Sequence, residues 1–166
     1  GPAEAAIIDP MATGINLEPI HDLMCDKSIL KVFHAARQDM EIFYYEMGEL
    51  PSPIFDTQLA AMVSGFGDQI GYEPLVAKIT GVRMNKQSQI SDWSRRPLTP
   101  QQLSYALGDV THLRPVYENL NRSLTESGRS HWLDEEMAVL TAKKTYSANP
   151  SDAWQRIKSR NNEPRF

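Results

Sequence analysis

Tyr105 and Asp109 stand four residues apart in the run PLTPQQLSYALGDVTHLRPVYENL, residues 97–120. On a helix that spacing stacks a phenol and a carboxylate on adjacent turns, and His112 continues the same stripe. A carboxylate so placed can ligate a hard divalent cation such as Mg2+ or Mn2+, and the phenol can hydrogen-bond a water bound to it. A second carboxylate, Asp39, follows the apolar run ILKVFH and opens the helical pattern RQDMEIFYYEMG. In open α/β sheets ligands gather outside the carboxyl ends of strands. A helix crossing that edge would bring Asp109 towards Asp39. Each residue also has a plainer reading: an Asp in a first turn complements the helix dipole, and a Tyr/Asp pair at this spacing suits a solvated face.

The elements that must position these groups are legible in outline. Thr99 is placed to cap the helix of residues 97–120, Pro100 suits its first turn, and Gln102 completes a capping box. Leu103, Ala106, Leu107, Val110, Leu113, Tyr117 and Leu120 recur at three- and four-residue steps, which predicts one apolar face. Pro115 should kink this helix or end its regular part early. Residues 29–34 read as a strand, and Met40, Phe43 and Met47, with Ile42, form the apolar face of the helix that follows. Gly48 is a stop for that helix. Residues 54–55 read as a short buried strand with Asp56-Thr57 at its end. A helix over 58–63 and another over 73–79, stopping before Gly81, come next.

At the start of the chain, AAIID (residues 5–9) reads as a short buried strand stopped by Pro10. Asn16 can cap a helix holding Leu17, Ile20, Leu23 and Met24. MNKQSQISDWSRR, residues 84–96, has no period and reads as a surface loop of the kind that often carries function. HWLDEEMAVL predicts a helix with Trp132, Met137 and Leu140 buried. Residues 153–158 admit one or two helical turns within a polar tail. Strands alternating with helices argue an α/β layered domain.

Composition narrows the function classes. The 166 residues are 41% hydrophobic and 23% charged, ordinary for one globular domain. No apolar run approaches the ~20 residues of a membrane span. No basic start followed by an apolar block marks a signal peptide. Cys25 is the only cysteine, which excludes an internal disulfide and a Cys-based zinc site and fits a reducing cytoplasm. Net charge is -4, yet residues 143–166 sum to +4, leaving -8 on the body. An acidic body can still handle an anionic substrate when its carboxylates recruit divalent cations.

Four blocks in order, KVFHAARQDMEIF, IFDTQLAAMV, DWSRRPLTPQQLSYALGDVTHL and WLDEEM, resemble bacterial ribonuclease D. That family belongs to the DEDD superfamily of 3′–5′ exonucleases, in the branch with tyrosine in its last motif. The resemblance runs from about residue 5 to about residue 140. It implies a ribonuclease H-like α/β fold, a mixed central sheet flanked by helices. It matches Asp39 to the second-motif aspartate, and Tyr105 and Asp109 to the Tyr-x-x-x-Asp of the third motif. The activity implied is two-metal hydrolysis that releases nucleoside 5′-monophosphates from RNA 3′ ends, with Mg2+ or Mn2+ as cofactor. In that scheme Asp109 ligates the ion that activates water, Asp39 supports the ion at the leaving 3′ oxygen, and Tyr105 orients the water. Ions roughly 3.5–4 Å apart would clamp both oxygens.

One departure stands out. The family's first motif, an Asp-x-Glu that supplies two of its four acidic ligands, should precede residue 5 and has no counterpart here. Asp134-Glu135-Glu136 is wrongly placed and lies on a helix. The expectation is therefore a catalytic domain without its first strands over residues 1–141, binding metal weakly and cutting RNA poorly or not at all. Residues 142–166 would be a basic connector towards a helical nucleic-acid-binding domain, or simply a solvated linker. Lys86, Arg95 and Arg96 are candidates for phosphate contacts. Trp93 either stacks on a base or anchors its loop. His34 either touches substrate or is a hydrogen-bonded core residue. Asp56 is expected to bond nearby backbone amides. The expected substrate is a structured RNA 3′ end such as a transfer RNA precursor, handled in the cytoplasm away from membranes. The rival readings are a non-catalytic RNA-binding or interaction module on this fold, and a DNA-directed exonuclease of the same superfamily.

Overall fold

The computed structural model describes residues 4–84 and 91–147. In chain order the elements are α1 (Glu18–Cys25), β1 (Lys31–Phe33), α2 (Arg37–Met47), β2 (Ile54–Asp56), α3 (Thr57–Val63) and α4 (Tyr72–Thr80). They continue with α5 (Pro100–Thr111), α6 (Leu113–Glu126), α7 (Ser130–Leu140) and a 3-10 turn, Lys143–Thr145. Lys86 and the helical turns read at 153–158 lie outside the described residues.

β1 and β2 pair in parallel, with Val32 opposite Phe55 and Phe33 opposite Asp56. Among the described residues the sheet has these two strands, with helices packed around them. The strand expected at residues 5–9 is absent. That segment has no ladder partner, and Ile7 and Ile8 are 37% and 53% exposed. Apolar composition without a paired neighbour does not make a strand, because each backbone N–H and C=O needs a partner.

The main core gathers around α6. Leu75, Val76, Val116 and Leu120 are fully buried with Phe55, Ala60, Ala61, Leu124 and Leu133. A second cluster of Ala36, Met40, Leu50 and Leu140 seats α2, where Phe43 and Met47 are half-buried but Ile42 faces solvent. Tyr146 still packs on this cluster, its hydroxyl donating to the Leu140 carbonyl at 2.6 Å.

Local signals set the boundaries. Asn16 accepts from the Glu18 N–H at 2.9 Å at the start of α1, although no side chain of that helix is buried. Gly48 and Gly81 end α2 and α4 with φ of 69° and 77°, a conformation that suits glycine. The helix read over residues 97–120 is two helices that meet at His112. Pro115 has no N–H for the Thr111 carbonyl and its ring crowds that oxygen, so the ladder breaks one turn upstream.

Two burial expectations are overturned. In α5 only Gln102 is buried, and Leu103 and Val110 are 37% and 48% exposed. The two-stranded sheet is too narrow to cover that face. In α7 Trp132 is 49% exposed and Leu133 takes the buried place, at 5%.

Candidate active site

β1, α2, α4 and α5 enclose an open cleft of about 780 Å3. His34, Asp39, Tyr72, Tyr105 and Asp109 all line it. Residues separated by 70 positions in the chain thus share one space, as the strand-edge argument required.

Each group is delivered by a local device. Asp39 occupies the first turn of α2 and is the more exposed of the two carboxylates. Tyr105 and Asp109 ride on α5, whose start is fixed by the expected capping box. Thr99 Oγ1 accepts from the Gln102 N–H at 3.2 Å, and Gln102 Oε1 accepts from the Thr99 N–H at 2.9 Å. The Gln102 amide also donates to Ser91 Oγ and the Asp92 carbonyl, each at 3.1 Å. One buried glutamine therefore ties the preceding loop to the helix.

Tyr72 was not singled out by the sequence. Its hydroxyl donates to the Gly108 carbonyl at 3.3 Å, one peptide from Asp109, and its ring lies 5.4 Å from that of His34. It spans the cleft floor from α4 to α5. On the same helix Gly108 leaves room for Met84, whose methyl would lie 3.3 Å from a Cβ there. An aromatic at the start of an amphipathic helix carries no local mark of this role.

Partial dehydration governs the electrostatics. It raises the pKa of Asp39, countered in part by a bond from the residue's own backbone N–H and reinforced slightly by the charge of Asp56. It also raises Asp109. Tyr105 is pushed up by burial and then by the Asp109 charge, so its phenol keeps its proton at neutral pH. Tyr72 is raised for the same two reasons. Carboxylates that are costly to leave charged and unpaired suit a cation.

His34 is hydrogen bonded as well as lining the cleft. Its Nδ1 lies 3.0 Å from Thr57 Oγ1, which itself donates to the Phe33 carbonyl at 2.9 Å. Burial holds the His34 pKa below its ordinary value, against the charge of Asp56. Asp56 bonds backbone amides as expected, at both Ala35 and Ala36 and at the start of α3.

The loop residues divide. Trp93 packs with its ring 6.0 Å from Tyr105, in a tilted arrangement. Arg96 makes a paired contact with Asp9, 2.5 Å from Nε and 2.7 Å from Nη2. Arg95 is 84% exposed and pairs with Asp92 at 3.1 Å.

As a cation site the chemistry of the donors fits, with two hard carboxylates and a phenol. Their number does not: among the described residues no group of three or more His, Cys, Asp or Glu could hold a metal ion.

A family model described as 3′–5′ exonuclease matches residues 2–125. The chain belongs to that 3′–5′ exonuclease family. It is 52% identical over 162 residues to a Ribonuclease D of Jannaschia sp., covering 98% of this chain and 42% of that protein. A Ribonuclease D of Nitrobacter hamburgensis is likewise 52% identical, over 164 residues, with 99% of this chain and 43% of that protein covered. The chain thus spans less than half the length of these relatives. Among solved structures it resembles Escherichia coli RNase D, described as an exoribonuclease involved in structured RNA processing. The TM-score is 0.79 at 32% identity, over 86% of this chain and 38% of that one. Brucella melitensis NrnC with bound Mg2+ superposes with a TM-score of 0.68 at 25% identity, over 86% of this chain and 68% of that one. The α/β fold is therefore that of the ribonuclease D type, and divalent ions are the cofactors of exonucleases of this kind. Among the described residues no helix is long and apolar enough to cross a membrane.

Proposed function

We propose that this chain is the catalytic part, incomplete in its acidic ligands, of a 3′–5′ exoribonuclease of the ribonuclease D type. Its substrates are RNA 3′ ends, with structured RNAs such as transfer RNA precursors the foremost class, and its setting is the cytoplasm. The observation that carries the reading is the convergence of Asp39, Tyr105 and Asp109 on one cleft. Asp39 and Asp109 would hold Mg2+ or Mn2+. A pair of such ions supplies an activated water and charge neutralisation at the leaving oxygen.

The chain's own groups have separate tasks. Asp109 and Asp39 provide carboxylate oxygens from opposite walls. Tyr105, protonated, orients the attacking water, and Trp93 supports its ring. Arg95, exposed and held by a single contact to Asp92, meets a phosphate more readily than Arg96, which would have to leave its paired contact with Asp9. The basic segment after residue 141 would lead towards a further nucleic-acid-binding domain.

The test is metal-dependent release of 5′-mononucleotides from RNA and DNA strands of equal sequence. The reading expects hydrolysis of RNA by a form of the protein that supplies the Asp-x-Glu ligands, little by the 166-residue chain, and loss in Asp109→Asn with folding intact. Activity unchanged in Asp109→Asn sinks it. Preference for DNA selects the related exonuclease reading, and RNA binding without hydrolysis selects a non-catalytic module.

A further inference from the structure

The junction between β1 and α2 is built around a carboxylate with no part in the chemistry above. Asp56 is 2% exposed and accepts four backbone N–H groups. Gln58 and Leu59, at 2.7 and 3.4 Å from Oδ1, carry the second and third amides of α3. Ala35, at 3.1 Å from Oδ1, and Ala36, at 2.8 Å from Oδ2, come from 21 and 20 residues earlier in the chain.

Those two alanines are unusual. Ala35 has φ of +57°, a left-handed conformation that an alanine resists because its Cβ crowds the following carbonyl. Ala36 occupies the cap position just before α2, is fully buried, and has no side chain able to cap. Asp39 stands three residues further on. A cap on α3 alone needs a single acceptor oxygen. Holding Ala36 as well requires the second oxygen of a carboxylate.

We propose that Asp56 is a positioning residue: its carboxylate holds the left-handed turn at Ala35–Ala36 and so aims the first turn of α2, with Asp39, into the cleft. The functional half of this inference rests on reading Asp39 as a cation ligand. The conformational half does not.

The experiment compares four versions of the 166-residue chain: unaltered, Asp56→Asn, Ala35→Gly and the double variant. Asn keeps one oxygen for α3 but turns an NH2 group towards the Ala36 N–H. Amide hydrogen exchange at residues 36–40 should rise roughly tenfold in Asp56→Asn, with Gln58 and Leu59 changing less. Ala35→Gly removes the strain that the clamp opposes, so the double variant should recover much of the protection. Titration with Mn2+, read as broadening of the Asp39 amide signal, should show affinity weakened roughly tenfold in Asp56→Asn and partly restored in the double variant. Exchange that rises equally in α2, α3 and β2, or a failure of glycine to restore protection, overturns the proposal. If Asp56→Asn does not fold, recovery of folding in the double variant supports it and continued unfolding overturns it. If the unaltered chain shows no Mn2+ effect at Asp39, the cation reading fails, while exchange and rescue still decide the clamp.

Discussion

α5 and α6 are halves of one continuous apolar pattern, yet they bury their residues in opposite ways. α6 places Val116, Leu120 and Leu124 in the main core, whereas α5 buries Gln102 alone and leaves Val110 48% exposed. The difference is what each half faces. α6 packs on α3, α4 and the strands, while α5 borders an open cleft. Stability is concentrated in α6, and the groups suited to chemistry ride on α5. Side chains left open to a cleft cannot also be packed, so a helix that carries them needs anchoring at its ends. Here the anchors are the capping box and Tyr72.

The largest effect should come from Leu120→Ala, which opens a cavity in the main core and should cost about 2–5 kcal/mol, read by urea unfolding. A loss below about 1 kcal/mol would place the core elsewhere. Gln102→Ala removes the capping box and two loop contacts, and should cost about 1–2 kcal/mol. Its signature is local, with amide exchange rising at the start of α5 while the α6 amides stay protected.

Asp109→Asn should act in the reverse direction. Dehydration raises the folded-state pKa of Asp109 above its unfolded value. The ionised carboxylate therefore penalises the folded state at pH 7–8, and the penalty fades as pH falls towards the unfolded value of about 3.9. The variant should melt higher at pH 8, and the gain should shrink as pH falls towards 4 and vanish below it. A lower Tm at pH 8 would mean that Asp109 is already paired. Val110→Ser should be smallest, within about 0.5 kcal/mol, because the side chain is half exposed. A large loss would show that α5 is packed more tightly than its exposure indicates.

How much was legible follows the same division. The capping box at Thr99, the stops at Gly48 and Gly81, the contacts of Asp56 with the amides of Gln58 and Leu59 and a break near Pro115 are each written in a few neighbouring residues. The meeting of Asp39, Tyr105 and Asp109 was reached through strand order and family resemblance, and the cleft contains all three. Burial was read less well. Ile42, Trp132 and Val110 have the right types and spacing for a core, but their faces meet no partner. Residues 5–9 have the composition of a strand and no ladder to join.

By itself, then, the sequence determined where helices begin and end and which residues could do chemistry, since capping, glycine stops and proline breaks act over one turn. Only the tertiary structure decided which apolar faces are buried. It alone joins Arg96 to Asp9 across 87 residues, sets Tyr72 against the Gly108 carbonyl, and brings a distant carboxylate, Asp56, to the turn that leads into α2. Such contacts depend on how the chain closes on itself, and closure is a property of all the packed elements together, marked in no single stretch of residues.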